Sequence, residues 1–213
     1  MPWSDEYLPL LLQLYLKTPA GVKPMYSRGL VDLALLLHVS PRQVYAQMFR
    51  LRRRDTPRIE RLWQQYGDNP RRLARDAKTV RQTLDGFGQS DTFYEGVEIC
   101  SGWENDFLPL HPGTTLTPVA LILTLDLYFR LTPATMTADT PEVAELARTV
   151  GAPAADLVAV MHTYMTLDPY LRRHGQADPR WTAACTDIWH RYAADDPERL
   201  ATAAACLHDY YKK

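Results

Sequence analysis

The stretch WQQYGDNPRRLA at residues 63–74 returns as WHRYAADDPERLA at residues 189–201, with one residue inserted. Trp63, Tyr66, Asp68, Pro70, Arg72, Leu73 and Ala74 answer to Trp189, Tyr192, Asp195, Pro197, Arg199, Leu200 and Ala201, seven identities in twelve positions. Shared helix-cap chemistry would account for Asp, Pro and Ala. It does not account for a shared Trp in a chain with five, so the match predicts an internal duplication. The order holds upstream as well. Leu14-Tyr15-Leu16-Lys17 is matched by Leu127-Tyr128-Phe129-Arg130, Thr18-Pro19-Ala20 by Thr132-Pro133-Ala134, and Leu33-Ala34 by Leu146-Ala147.

The prolines tell what the repeated unit is made of. Pro is tolerated at the first helical position, where its fixed φ suits the helix and its missing N–H costs nothing. Six capping-residue and Pro pairs stand out among the 16 prolines: Ser40-Pro41, Thr56-Pro57, Asn69-Pro70, Thr140-Pro141, Asp178-Pro179 and Asp196-Pro197. Each pair reads as a helix N-terminus. With apolar periodicity between these starts, helices are expected at about 4–17, 28–37, 41–53, 57–67 and 70–84, then at about 117–131, 141–150, 154–166, 179–193 and 197–211. The expectation is an all-α protein of two tandem repeats, each a roughly five-helix unit: repeat 1 at 1–84 and repeat 2 at 117–213. Trp63 and Trp189 are expected at equivalent core sites.

Residues 85–116 between the repeats hold six acidic residues, no Lys or Arg, and the aromatics Phe87, Phe93, Tyr94, Trp103 and Phe107. Disordered linkers are poor in aromatics. The segment is therefore expected to be an irregular acidic aromatic strap packing on both repeats, with a short extended stretch allowed around residues 93–98.

Length and composition bound the rest. A chain of 213 residues with 46 % hydrophobic and 23 % charged residues is an ordinary globular protein of one or two domains. The three cysteines, Cys100, Cys185 and Cys206, have no framework spacing, which favours a reducing compartment. The start Met-Pro-Trp-Ser-Asp-Glu is unlike a signal peptide, and the most apolar stretch, Leu116 to Leu131, carries Asp126 and Arg130. A cytoplasmic protein without membrane attachment is the expectation.

The net charge of -1 hides a division: residues 1–84 are net +8 and residues 85–213 net -9. Either the first half meets an anionic partner, or the halves dock electrostatically. Catalysis is not signalled. There is no Gly-rich phosphate loop or nucleophile elbow, and Cys185 with His190, or Cys206 with His208, lacks metal-ligand spacing. Glu95, Glu98, Glu104 and Asp106 fit solvated or arginine-paired acids better than an acid–base pair. No catalytic residue, cofactor or metal is expected.

The second and third helices of each repeat carry the functional reading. Leu33, Ala34, Leu37, His38, Val39 and Val44 run in the order apolar, small, apolar, turn, apolar, apolar, and Leu146, Ala147, Val150, Gly151, Ala152, Leu157 and Val160 repeat it. The small residue allows close crossing of two helices and the turn residue tolerates φ > 0. The pattern resembles the helix-turn-helix superfamily of bacterial DNA-binding domains over about 22 residues of each repeat, at about 30–53 and 143–166. That resemblance implies a third helix presenting base-reading and phosphate-binding groups. In repeat 1, with Val44, Met48 and Leu51 inward, Arg42, Ala46, Arg50 and Arg53 face out and Gln43 flanks them. The helix ends Arg50-Leu51-Arg52-Arg53-Arg54. Arg42, Gln43, Arg50, Arg52, Arg53 and Arg54 are the candidate nucleic-acid-binding residues, with more cations at Arg58, Arg61, Arg71, Arg72, Arg75, Lys78 and Arg81. Repeat 2 offers only Pro153, Ala154, Ala155, Val158 and Ala159 on the matching face, a degenerate copy. Three helices also pack this way with no nucleic acid involved, and Tyr45 and Phe49 fit a protein contact as well as a groove. Two expectations stay open. One is a helix-turn-helix nucleic-acid-binding or transcription-associated protein acting through repeat 1, with DNA as the candidate partner. The other is a non-catalytic interaction protein whose basic face meets an acidic partner or its own strap.

Overall fold

A computed structural model describes residues 3–88, 102–171, 175–193 and 197–212. All regular structure among them is helical. The chain divides into two compact units, residues 1–100 and 101–213, and each holds five α-helices.

In the first unit α1 is Leu8–Leu16, α2 Arg28–Leu37, α3 Pro41–Arg53, α4 Pro57–Tyr66 and α5 Pro70–Gly88. The capping pairs set three of these starts. The Ser40 hydroxyl accepts from the Gln43 N–H at 3.3 Å, Thr56 caps Ile59 at 3.3 Å, and Asn69 caps Arg72 at 3.1 Å. Helix α1 packs against the other four, burying Leu8, Leu10, Leu11 and Leu12. Val31, Leu33 and Leu37 of α2, Val44, Met48 and Leu51 of α3, and Ile59, Leu62, Leu73 and Ala77 of α4 and α5 complete this core.

In the second unit α6 is Pro118–Tyr128, α7 Pro141–Val150, α8 Ala154–Leu167, α9 Thr182–Tyr192 and α10 Pro197–Leu207. Helix α6 again packs against the other four. Every residue from Val119 to Leu125 is buried, as are Leu127 and Tyr128, because a helix apolar all round is stable only at the centre of a bundle. No helix among the described residues is long and apolar enough to cross a membrane.

Several expectations need correction. The first helix begins as a 3-10 turn over Asp5–Tyr7 before α1. Asp178-Pro179 does not start α9. The Asp178 carboxylate accepts from the Arg180 N–H at 2.9 Å, and the Asp178 carbonyl accepts from Trp181 and Thr182 in a turn that delays the helix to Thr182. Thr140 precedes α7 without capping it, because its hydroxyl donates to the Thr135 carbonyl at 2.5 Å. Helix α5 runs on to Gly88. The extended stretch expected at 93–98 lies outside the described residues. Residues 102–116 pack within the second unit: Phe107 is buried, with its ring 5.1 Å from that of Tyr210, while Trp103 is only half-buried. Trp63 and Trp189 are likewise half-buried rather than core residues. Each meets the tyrosine paired with it in the sequence match edge to face, Trp63 with Tyr15 at 5.7 Å and Trp189 with Tyr128 at 6.1 Å.

Candidate nucleic-acid interface

Helix α3 is held by its two ends and one buried face. Before it, α2 stops because His38 turns left-handed, with φ 51° and ψ 38°; the Val39 N–H then returns to the Ala34 carbonyl at 3.1 Å, a Schellman ending. In the second unit Gly151 turns the same way, with φ 71° and ψ 33°, and the Ala152 N–H returns to the Ala147 carbonyl at 3.1 Å. At the start of α3 the Ser40 N–H donates to the Gln43 side-chain oxygen at 3.1 Å, closing a capping box. Val44, Met48 and Leu51 are wholly buried beneath it.

The six candidate residues fall into two groups. Arg42, Arg52 and Arg53 are exposed, and among the described residues they form no ion pair. The other three are engaged. Gln43 is exposed, but its amide oxygen is the second half of the capping box. Arg50 donates from Nε to Asp55 at 3.2 Å and from Nη1 to Gln47 at 3.1 Å. Arg54 takes a left-handed conformation after the helix, φ 53°, with its guanidinium 4.7 Å over the Trp63 ring and 3.6 Å from Glu60. Trp63 in turn donates from its indole to the Leu51 carbonyl at 3.0 Å, tying α4 to the end of α3. Half-buried Tyr45 and Phe49, one helical turn apart on α3, meet edge to face at 5.0 Å.

Helix α5 carries further cations. Arg71, Lys78 and Arg81 are exposed without an ion pair among the described residues, whereas Arg72 and Arg75 share Asp76. The hydroxyl of Tyr66 donates to Asp76 at 2.8 Å; this bond and then the arginines hold the Asp76 carboxyl below its ordinary range, while burial pushes the Tyr66 phenol up. Arg58 pairs with Asp5 at 3.4 Å.

The outward face of α8 is differently placed. Residues 175–179 run along it. The Asp178 N–H donates to Thr163 at 3.1 Å. Gly175 lies so close that a Cβ there would sit 2.5 Å from the Thr166 nitrogen. Gln176, Ala177, Asp178 and Pro179 form one wall of a groove of about 480 Å³ whose other wall is Ala155, Val158, Ala159 and His162. Arg180 fastens the segment by donating to Asp178 at 2.7 Å and reaching Asp156 at 3.4 Å. Trp181 ends it, buried and stacked on His111 at 5.2 Å.

The acids suggested as arginine partners are partly accounted for. Asp106 is gripped at both oxygens, each at 2.8 Å, by Arg191 of its own unit, and Arg191 is held protonated well above its ordinary range chiefly by that bond. Glu95 and Glu98 lie outside the described residues. Cys185 is buried against Tyr164, and burial pushes its thiol up to about 12; Cys206 is exposed. Compared with known proteins, the chain matches no family model, no curated protein and no solved structure.

Proposed function

We propose that this is a non-catalytic nucleic-acid-binding protein built from two copies of a helix-turn-helix unit, acting through the first. The reading is carried by one observation: the outward face of α3 presents Arg42, Arg52 and Arg53 without a counter-ion among the described residues. Cations left unpaired on a helix anchored by a buried face and a fixed turn suit contacts to phosphates. The duplication is supported by the shared helix order, by a first helix that touches the other four in each unit, and by the matching left-handed turns at His38 and Gly151. The partner is DNA or RNA, met in the cytoplasm.

A second reading has its own support. Because the α8 face receives a peptide segment, residues 175–179, the α3 face would take an acidic peptide from a protein partner. Anisotropy titrations of the unmodified chain against labelled random-sequence DNA, at low and high salt, separate the two. The nucleic-acid reading expects binding whose logarithmic salt slope is about -0.9 for each phosphate contact. No binding at low salt would leave the peptide reading in its place.

A further inference from the structure

The side chains of α3 also bear on which form of nucleic acid it would take, an inference that rests on the reading above. Duplex reading in the major groove needs side chains near the helix N-terminus that offer two-point hydrogen bonds to base edges, such as a free Gln to adenine or a free Arg to guanine. Here the Gln43 oxygen is committed to the Ser40 N–H, Ala46 offers no polar group, and Arg50 is tied to Asp55 and Gln47. Only Arg42 remains at that end. The middle of the face is occupied instead by the half-buried rings of Tyr45 and Phe49.

At 3.6 residues per turn, Phe49 and Arg53 lie about two and three turns beyond Arg42 on the same side of the helix, with about 16 Å between the two arginines. Ala46, between Arg42 and Phe49 on that side, is exposed and small. Aromatic rings between unpaired cations are the arrangement that holds single strands, because bases stack on the rings while phosphates meet the charges, and every base has a π-face to offer. In a duplex the bases are already stacked on one another and present only their edges. We infer that the α3 face binds single-stranded nucleic acid with little sequence choice, its bases stacking on Tyr45 and Phe49 and its phosphates meeting Arg42, Arg52 and Arg53.

The experiment uses the full chain and a fluorescein-labelled mixed-sequence oligonucleotide of about 20 nucleotides, alone and annealed to its complement, at low salt. The single strand is expected to bind at least about tenfold more tightly than the duplex, with oligo-dT and mixed sequence within about threefold of each other. Phe49→Leu keeps an apolar side chain but removes the ring; it is expected to weaken single-strand binding about fivefold or more, and single-strand binding within about twofold of the unmodified protein overturns the stacking role. A duplex bound as tightly as the single strand overturns the inference and leaves the proposed function standing. Binding of neither form, or of a polyglutamate peptide alone, overturns both. The comparison of strand with duplex is made on the unmodified protein and does not depend on how the variant folds.

Discussion

The outward faces of α3 and α8 belong to the third helix of their respective units, and they differ in the connection that leaves each helix. Three residues, 54–56, join α3 to α4, whereas fourteen, 168–181, join α8 to α9. The short connection cannot fold back, and among the described residues Arg42, Arg52 and Arg53 of α3 are exposed and form no ion pair. The long one returns along α8 and is pinned by Asp178 on Thr163 and by Arg180 on Asp156. The side chains match this difference. Where the backbone returns, α8 carries Ala155, Ala159 and Thr163, small enough to admit it, and Gly175 supplies the approach from the other side. A helix with the same buried face thus keeps its outward face exposed or covers it according to its connection.

The contrast can be disrupted from the α8 side. Trp181 ends the covering segment and is 1 % exposed, so Trp181→Ala should cost about 3–5 kcal/mol in urea unfolding without changing DNA affinity. Gly175→Ala comes next. Its new methyl meets the backbone of Thr166 at 2.5 Å and Met165 at 2.8 Å, neither able to swing aside, so a loss of about 1–3 kcal/mol is expected, with altered fluorescence from buried Trp181.

Alkaline pH probes the same helix from within. Tyr164 of α8 is wholly buried beside Cys185, whose thiol burial raises to about 12, against roughly 8.5 in an unfolded chain. The stabilisation is full below the unfolded value and is lost as pH rises from there towards the folded one, because only the unfolded chain then releases its proton. Between pH 7 and pH 10 unfolding free energy should fall by on the order of 2 kcal/mol through this group, and Cys185→Ala should remove that part of the dependence. A flat profile in the unmodified protein would show the thiol to be accessible.

Much of this was legible in the sequence. The helix starts at Pro41, Pro57, Pro70 and Pro141 stand where their prolines place them, since a preset φ acts locally. Gly151 is legible as a turn because glycine takes positive φ without steric cost, and His38 by standing at the matching place in the pattern. Asp178-Pro179 misled because a carboxylate that can cap a helix can equally close a turn, and only the packing of Trp181 selects between them. Nor does a sequence show which cations are already matched. Arg50 and Arg54 look as free as Arg52 and Arg53 until Asp55, Gln47, Glu60 and Trp63 are placed around them. The spacing between matched residues shifts from 113 at Tyr15 and Tyr128 to 126 at Trp63 and Trp189, and the structure puts the extra residues in the connection after α8.

Whether α3, and not α8, is the binding surface is tested by removing charge from each face. Arg42, Arg52 and Arg53 are exposed, so their joint change to Ala should leave stability within about 1 kcal/mol of the unmodified chain. In anisotropy titrations across a salt series the same variant should lose up to about 0.7 of logarithmic salt slope per contact on single strands, or about 0.9 on duplex, while Arg180→Ala beside α8 should leave the slope unchanged. Equal slopes for the triple variant and the unmodified protein, or a loss confined to Arg180→Ala, would mean that α3 is not the face that binds.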